Sequence, residues 1–467
     1  METQLNLISQ KAKEDKGCKF NNLMHLINVA SMRSSYRQLK KGKSPGIDGV
    51  TLEEYGIRLN ENITEVLERM KRMSYTPQPV RRTYIPKANG GKRPLGIPAI
   101  EDKMVQMCFK RILETIYETD FQDNSYGFRE GKSCHQALTQ IDKSLMFKPV
   151  NYIIDADIKG FFDNVNHEWM ERFLKERISD VKFIRYIKRF LQSGIMEEGK
   201  YQETERGTPQ GGIVSPVLAN IYLHYVLDRW FRNEIEKKSR GFVELVRYCD
   251  DFVIMAEKEE EAMGILTTLR KRLSRFSLEL SEEKTRIIRF GRIALSEAEQ
   301  RGEKPATFNF LGFTHYCCRS RKGKYKVSRR TEKKRFTRSL NKIKEYIRNN
   351  RNIVKLKILW ESITRKLRGH YNYYGVSENF RSIQEFYHKV EKLLMKWLNR
   401  RSQKKSYTWE QFRMYLKRFP LPKPRIYKHF YQISKTGVRG NEELYAGNPH
   451  VQFCEGGRCN NARHTHR

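Results

Sequence analysis

The sequence predicts a mixed α+β part followed by an all-helical, strongly basic part. Short apolar runs of strand length alternate with amphipathic helical patterns over most of the first 318 residues. Beyond about Arg330 only helical patterns remain, and the positive charge is concentrated there. Residues 319–467 contain 39 Lys and Arg but only 10 Glu and no Asp, so they carry +29 of the +37 net charge of this 467-residue chain.

This charge distribution indicates a polyanionic partner. A segment with such an excess repels itself unless a polyanion neutralises it, and nucleic acid gains affinity by releasing counterions at each neutralised phosphate. A basic surface that only aids solubility is the alternative.

The composition excludes several other classes of protein. A hydrophobic content of 38% with 31% charged residues is typical of a globular chain. The amino terminus lacks the apolar core of a signal peptide, and no apolar stretch is long enough to span a membrane. The eight cysteines are scattered, so we expect reduced thiols in a cytosolic protein.

The first elements of the α+β part follow from apolar spacing and turn residues. Helical spacing over about Asn21 to Lys41 precedes a turn-rich loop at residues 43–50. Two strand-like runs, residues 80–85 and 93–97, flank an Asn-Gly-Gly turn and predict a β-hairpin. Residues 100–117 then have a helical pattern.

The central elements include the most apolar strands. A buried strand is expected from Val150 to Asp157, with a helix from about His167 and a long helix over residues 215–235. The apolar runs 243–247 and 252–256 predict a second hairpin.

The remaining elements lead into the basic part. An amphipathic helix is expected over residues 259–276, followed by strands at 286–290 and 308–316. Helices follow beyond Arg330, and Leu421-Pro-Lys-Pro-Arg425 interrupts the helical pattern.

Three carboxylates give the strongest chemical signal. Asp157 ends an apolar strand, and Asp250 and Asp251 lie in the turn of an apolar hairpin, so strand ends of one sheet can bring them together. Hard oxygen ligands suit Mg²⁺, and two such ions could clamp an in-line displacement at phosphorus. Ordinary turn chemistry is the alternative for the Asp pair.

The surrounding motifs occur in a family-specific order. They resemble the reverse transcriptase/maturase proteins encoded by group II introns over about residues 20–430. The motifs that carry the resemblance are Lys43 to Thr51, Tyr84 to Pro98, Ser125 to Ser133, Asp155 to His167, Arg206 to Asn220 and Tyr248-Cys-Asp-Asp251.

The resemblance implies an α+β right-hand polymerase, with fingers and palm, followed by an all-α basic thumb/maturase domain. Residues 1–98 would form an amino-terminal extension and the fingers hairpin, and residues 99–318 the fingers/palm core. Residues 319–405 would form the helical thumb or maturase domain, and residues 406–467 a small basic DNA-binding region and tail.

The resemblance also implies roles for individual residues. Asp157, Asp250 and Asp251 would be catalytic and bind two Mg²⁺ ions, together with the carbonyl of Ile158. The residues expected to bind the nucleotide are Lys87, Arg93, Phe162, Gln210 and Lys284.

Each nucleotide-binding assignment has a physical basis and an alternative. Lys87 and Arg93 are cations that suit a triphosphate. The alternative is that they are solvated charges of a basic hairpin. Phe162 would exclude a 2′-hydroxyl; strand-like alternation would place Phe161 and Phe162 on opposite faces, so that one is core. Lys284 could donate a proton to pyrophosphate, or simply contact a phosphate.

The basic part interleaves cations with aromatic residues. Such sequence can bind phosphates and stack on bases, although some of its tyrosines are expected in the core. The residues predicted to contact nucleic acid are Arg365, Lys366, Arg368, Tyr371, Arg400 and Arg401.

The last residues raise the question of a further site. Cys454, Cys459, His464 and His466 fit no common zinc spacing well. The tail resembles that of intron proteins lacking the endonuclease domain, so we expect no second-strand cleavage by this chain.

The sequence therefore predicts an RNA-directed DNA polymerase that also binds its intron RNA to assist splicing and supports retromobility. Its expected partners are group II intron RNA, an RNA template, a DNA primer or target and deoxynucleoside triphosphates, in the cytoplasm of a bacterial or organellar host. A reverse transcriptase of a retron, a diversity-generating system or a CRISPR-associated system is one alternative. A non-catalytic RNA-binding splicing factor is the other.

Overall fold

The structure is a computed structural model that describes residues 2–86, 91–208, 211–401 and 407–430. The chain divides into two compact units, one formed by residues 1–137 and 152–287 and the other by residues 138–151 and 288–467. These boundaries differ from the four predicted functional ranges, which stay predictions. The predicted boundary after residue 318 falls within a strand, Phe313–Arg319.

The first unit contains most of the strands and is a mixed α+β structure. Its helices are α1 (Glu2–Glu14), α2 (Val29–Gln38), α3 (Leu52–Ile57), α4 (Leu59–Lys71), α5 (Ile100–Tyr117), the start of α6 (Cys134–Phe147), α7 (Phe161–Asn164), α8 (His167–Lys175), α9 (Val181–Leu191), α10 (Ser215–Leu223) and α11 (Glu259–Arg275). Its strands are β1 (Val80–Pro86), β2 (Lys92–Ile97), β3 (Tyr152–Asp157), β4 (Ile195–Glu197), β5 (Lys200–Gln202), β6 (Val243–Tyr248), β7 (Asp251–Ala256) and the start of β8 (Arg286–Arg289).

The central sheet has the strand order β6-β7-β3-β8. Strands β3 and β7 are antiparallel, with Tyr152 opposite Ala256 and Asp157 opposite Asp251. Both are apolar on two faces because helices and loops cover the sheet, and only their acidic ends are partly exposed. The second predicted hairpin is confirmed as β6–β7.

A second sheet, of order β2-β1-β4-β5, contains the first predicted hairpin. Its register runs from Arg81 opposite Ile97 to Pro86 opposite Lys92. Helix α5 follows at the predicted residues. Aromatic packing fixes it against α9, where the ring of Phe109 lies 4.5 Å from that of Phe183 and 5.1 Å from that of Phe190.

The long helix predicted over residues 215–235 is helical but not regular. After α10 the chain forms two π-helical segments, His224–Asp228 and Phe231–Glu236. A π-turn inserts a residue and rotates the side chains that follow it, and such segments are frequent at functional sites. Here the first segment places Asp228 in the core, with no exposed surface.

The second unit begins with a small sheet and continues as helices. Its sheet has the order β11-β10-β9. The strand predicted at residues 308–316 is two strands, because Leu311 (φ 49°) and Gly312 (φ 79°) form a left-handed turn. Beyond α12 (Arg292–Gln300), its further elements are β9 (Thr307–Phe310), β10 (Phe313–Arg319), β11 (Tyr325–Thr331), α13 (Lys333–Asn350), α14 (Leu356–Tyr374), α15 (Phe380–Leu398) and α16 (Trp409–Arg418).

The helices of the second unit are confirmed as basic and amphipathic. Helix α13 buries Ile343 and Ile347. The Pro-containing stretch after α16 is irregular, as expected. In the described part of the chain, no helix is both long enough and apolar enough to cross a membrane.

Candidate active site

The acidic residues lie where β3 ends and β7 begins. Asp157 is the register partner of Asp251, so the two side chains lie on the same face of the sheet, and Asp155 lies two residues away on that face. Like charges directly opposite each other across two strands repel. The arrangement therefore favours a cation at this edge.

Asp250 is positioned by an unusual turn. The two residues Cys249 and Asp250 connect β6 to β7, with Tyr248 opposite Asp251. Cys249 is buried and has φ 61°, a left-handed conformation that costs a non-glycine residue about 1 kcal/mol or more. Burial also raises the pKa of the Cys249 thiol, so this group stays neutral.

A neighbouring loop supplies a cation to the carboxylates. The Lys284 ammonium donates to Asp157 Oδ2 at 2.6 Å, and the Asp157 carbonyl accepts from the Ser281 amide at 2.8 Å. Burial raises the pKa of Asp155, and Arg286 at 3.5 Å opposes that shift.

The carbonyl of Ile158 is directed away from this loop. Ile158 and Leu280 form an isolated antiparallel bridge. The two hydrogen bonds of this bridge are made by the residues on either side of Ile158. The Asp157 carbonyl accepts from the Ser281 amide, and the Lys159 amide donates to the Glu279 carbonyl at 2.8 Å. The predicted metal ligand is thus not used by this pairing.

The donor set suits a hard divalent cation in an open site. Among the residues that the structure describes, no group of three or more His, Cys, Asp or Glu side chains could enclose a metal ion by itself. Mg²⁺ is typically held by one or two carboxylates, with waters and substrate phosphates completing its shell. Asp157 and Asp251, at paired strand ends, carry side chains of this kind.

Phe161 and Phe162 lie in the short helix α7, so strand-like alternation was the wrong basis for separating them. Phe161 is buried against Tyr222, whereas Phe162 is half-buried. The Phe162 carbonyl accepts from the Thr208 amide at 2.7 Å. A side chain at Gly207 would lie 2.9 Å from the same carbonyl, so glycine is required for this close approach.

The fingers hairpin presents one predicted cation to solvent. Arg93, on β2 opposite Ile85, is exposed. The loop before α10 packs on this hairpin, because a side chain at Gly211 (φ 115°) would lie 2.4 Å from the Gly96 carbonyl. Lys87 and Gln210, both predicted to bind nucleotide, lie outside the described residues.

A buried arginine that the sequence analysis did not assign connects these motifs. Arg247, on β6, has no exposed surface and forms an ion pair with Asp228, with Nη2 at 2.5 Å from Oδ2. It also donates to Ser125, Asn220 and the Cys249 carbonyl. The available signal was a charged residue directly after the apolar pair Leu245 and Val246, in a strand expected to be buried.

The predicted nucleic-acid residues of the second unit divide into two groups. Arg365, Lys366 and Arg368 are exposed on α14. Tyr371 is fully buried, so the core alternative holds for it and it is not available to stack on a base. Arg400 and Arg401 are exposed after α15, and the Arg400 guanidinium lies 5.5 Å from the ring centroid of Trp397. The four Cys and His residues of the tail lie outside the described residues.

Comparison with known proteins places both units in recognised families. Residues 85–315 match the reverse transcriptase (RNA-dependent DNA polymerase) family. Residues 336–416 match the group II intron, maturase-specific domain. The first match includes the acidic strand ends, and the second includes helices α14 and α15.

Several individual proteins are similar to this chain. The group II intron-encoded protein LtrA of Lactococcus lactis subsp. cremoris is 31% identical over 471 residues, which cover 83% of this chain and 76% of LtrA. Protein YkfC of Escherichia coli (strain K12) is 31% identical over 316 residues, covering 59% of this chain and 81% of YkfC. An uncharacterized 91 kDa protein in the cob intron of Schizosaccharomyces pombe is 39% identical over 214 residues, covering 46% of this chain and 25% of that protein.

These matches confirm the fold class and the general activity expected from the sequence. The maturase-specific match also separates this chain from the alternative reverse transcriptases, because it covers the basic helices that distinguish the intron proteins. The chain belongs to the family of group II intron-encoded reverse transcriptases/maturases, and it is an RNA-directed DNA polymerase with a splicing function.

Proposed function

We propose that Asp157 and Asp250 bind two Mg²⁺ ions for nucleotidyl transfer, with Asp251 beside them and the carbonyl of Ile158 as a further ligand. The register of β3 and β7 sets Asp157 opposite Asp251, the residue directly after Asp250, and this meeting of strand ends is the observation that carries the proposal. When bound, the two ions would stabilise charge on the attacking 3′-oxygen and on the leaving pyrophosphate.

The protein groups orient the reactants around this edge. The primer 3′-oxygen forms a bond to the α-phosphorus of a deoxynucleoside triphosphate, and the bond to pyrophosphate breaks. Arg93, together with Lys87, would neutralise the triphosphate, and Gln210 would contact the nucleotide. Half-buried Phe162 would pack under the sugar and leave no room for a 2′-hydroxyl.

Lys284 has two compatible roles in this proposal. Its ammonium, 65% exposed, contacts Asp157 and offsets the repulsion among the acidic groups. With a nucleotide present, the same flexible side chain could reach the pyrophosphate and donate a proton as it leaves.

The second unit would bind the intron RNA. The exposed cations Arg365, Lys366, Arg368, Arg400 and Arg401 support phosphate contacts, while Tyr371 supports the helix from the core. The same proposal includes the four predicted functional ranges and binding of an RNA template and a DNA target. It also includes a cytoplasmic location near the host nucleoid.

The test is primer extension on an RNA template with deoxynucleotides and Mg²⁺. The double variant Asp250→Asn/Asp251→Asn should lose extension, because the ligand charge is removed while size is kept. Asp123→Asn, which changes a fully exposed carboxylate elsewhere in the first unit, is the matched control and should extend normally. Full extension by the double variant would contradict the metal assignment.

A further inference from the structure

Cys249 and Asp250 form the turn between β6 and β7, here named the catalytic turn, and Arg247 is a completely enclosed cation that contacts it. All five N–H donors of its guanidinium are used. Nε donates to Asp228 Oδ1 at 2.8 Å, and Nη2 donates to Asp228 Oδ2 at 2.5 Å and to Ser125 Oγ at 2.7 Å. Nη1 donates to Asn220 Oδ1 at 3.1 Å and to the Cys249 carbonyl at 2.9 Å.

These partners come from four separate parts of the first unit. Ser125 belongs to the segment after α5, Asn220 to α10, Asp228 to the π-helical segment and Cys249 to the turn itself. All four are nearly or fully buried. A single side chain therefore holds the turn against three other elements, and the π-helical segment delivers the carboxylate that balances its charge.

A second observation shows how closely the turn is held. Asn220 Nδ2 donates to the Gly127 carbonyl at 2.7 Å. A Cβ at Gly127 would lie 2.4 Å from the Cys249 nitrogen and 2.9 Å from the Tyr248 carbonyl carbon. The Ser125–Gly127 segment thus lies in van der Waals contact with the backbone of the turn, and any side chain at residue 127 would displace it.

The turn needs this support because its conformation is not intrinsically favoured. Cys249 adopts a left-handed conformation (φ 61°), which persists only when surrounding contacts over-determine it. The Cys249 carbonyl, one residue before Asp250, is the atom that Arg247 holds. Loss of this hydrogen bond would free the turn to relax and would move the Asp250 carboxylate.

We propose that Arg247 is the positioning residue of the active site, and that its network with Asp228, Asn220 and Ser125 sets the geometry of the Asp250 carboxylate for metal binding. The inference rests on the proposed role of Asp250. It assigns to Arg247 no contact with substrate; its effect passes through the turn.

The first test replaces the forked guanidinium group of Arg247 by an ammonium group and keeps the positive charge. Arg247→Lys has three donors and cannot serve the four partners at once. The matched control is Arg177→Lys in the same unit. Arg177 is likewise buried, pairs with Asp120 at 3.0 Å and donates to carbonyls of the amino-terminal segment, none of which belongs to the turn.

We expect both lysine variants to lower the thermal midpoint by similar amounts, but only Arg247→Lys to weaken the site. Its kcat should fall about 100-fold, as for a misplacement of about 1 Å. Its affinity for Mn²⁺, measured by electron paramagnetic resonance with primer–template and nucleotide bound, should fall at least about tenfold. Affinity for primer–template should not change.

The second test separates folding from positioning. In Arg247→Met/Asp228→Leu, apolar side chains replace a buried ion pair, a change that is often neutral or stabilising. We expect the thermal midpoint to recover relative to Arg247→Lys, while kcat and Mn²⁺ affinity stay low because the Cys249 carbonyl has lost its donor.

The outcomes distinguish this inference from the function on which it rests. Normal kcat and Mn²⁺ affinity in either Arg247 variant, or equal losses in Arg177→Lys, would overturn the positioning role. Full extension by Asp250→Asn would instead overturn the metal assignment, whatever the Arg247 variants do.

Discussion

The catalytic turn of the first unit and helix α14 of the second unit use cationic side chains in opposite ways. Arg247 has no exposed surface, and each of its donors meets an acceptor within the protein. Arg365, Lys366 and Arg368 are exposed on α14. Positive charge is therefore buried and fully hydrogen-bonded at the catalytic turn, and it is exposed to solvent on α14.

The difference follows from the energetic cost of burial. A buried charge without partners is strongly unfavourable, so a chain retains one only where a complete set of acceptors surrounds it, and that set fixes one geometry. Exposed cations stay hydrated and can adjust to phosphates in many positions. The metal binding proposed at Asp250 would need the first arrangement, whereas the proposed contact with a long RNA would need the second.

The largest expected effect would separate the polymerase activity expected of the first unit from the RNA binding expected of the second. In Asp250→Asn/Asp251→Asn, extension should fall by at least about 1,000-fold, because ligands of the reaction centre are lost. Binding and splicing of the intron RNA should stay within about twofold of wild type, since the change lies in the first unit. Filter binding and a splicing assay measure this, and a parallel loss of splicing would show that the two functions share the turn.

The converse change is Arg365→Ala/Lys366→Ala/Arg368→Ala on α14. We expect affinity for intron RNA to fall about 10- to 100-fold at low salt, and the slope of log affinity against log salt to become shallower by about 2. Extension of a saturating primer–template should keep its kcat.

A charge-matched control for that variant lies on α11. Arg270→Ala/Lys271→Ala/Arg275→Ala also removes three exposed cations, from the first unit. Its salt slope for intron RNA should equal that of the wild type. An equal change in both triple variants would mean that total charge, and not the surface of α14, determines RNA binding.

A smaller effect is expected at Phe162, where the first unit is proposed to select the sugar by shape. Phe162→Val should raise the incorporation of ribonucleotides relative to deoxynucleotides by about tenfold, because the half-buried ring no longer closes the space beside the sugar. Phe161→Leu is the control: it alters a core side chain, so it should lower the thermal midpoint but leave the ratio unchanged. An unchanged ratio in an active Phe162→Val enzyme would place the selectivity elsewhere.

The smallest effect contrasts two buried carboxylates of the first unit. Asp228 has a guanidinium partner, whereas Asp102 accepts hydrogen bonds from Tyr75 and from the Gln78 amide. Burial raises the pKa of Asp102 to about 7. Because the unfolded carboxyl ionises near pH 3.8, the unfolded chain binds fewer protons than the folded one between about pH 4 and 7, and stability falls as the pH rises.

Asp102→Asn should remove this dependence. Between pH 5 and 7 the wild type should lose about 1–2 kcal/mol more unfolding free energy than Asp102→Asn. Urea unfolding at the two pH values, followed by tyrosine fluorescence, measures the difference. An identical pH dependence in the two proteins would show that Asp102 is ionised throughout this range.

Local sequence was sufficient for elements whose pattern is complete within a short window. Helix α5 has the predicted bounds, and both hairpins were identified from apolar runs that flank turn residues. Short-range signals failed where the backbone departs from a regular period, as in the π-helical segments after α10 and the left-handed turn between β9 and β10. Phe161 and Phe162 do differ in burial, but the strand-like alternation used to separate them was wrong, since a four-residue helix replaced the expected extended chain.

The sequence by itself determined the family, the acidic residues of the candidate site and the concentration of positive charge, because each of these lies in contiguous residues. Only the tertiary structure decided the register that sets Asp157 opposite Asp251 and the burial of Tyr371. It also decided the partners of Arg247, one of which, Ser125, is 122 residues distant in sequence. Such contacts depend on which surfaces pack together, and packing is set by the whole chain at once rather than by any local period.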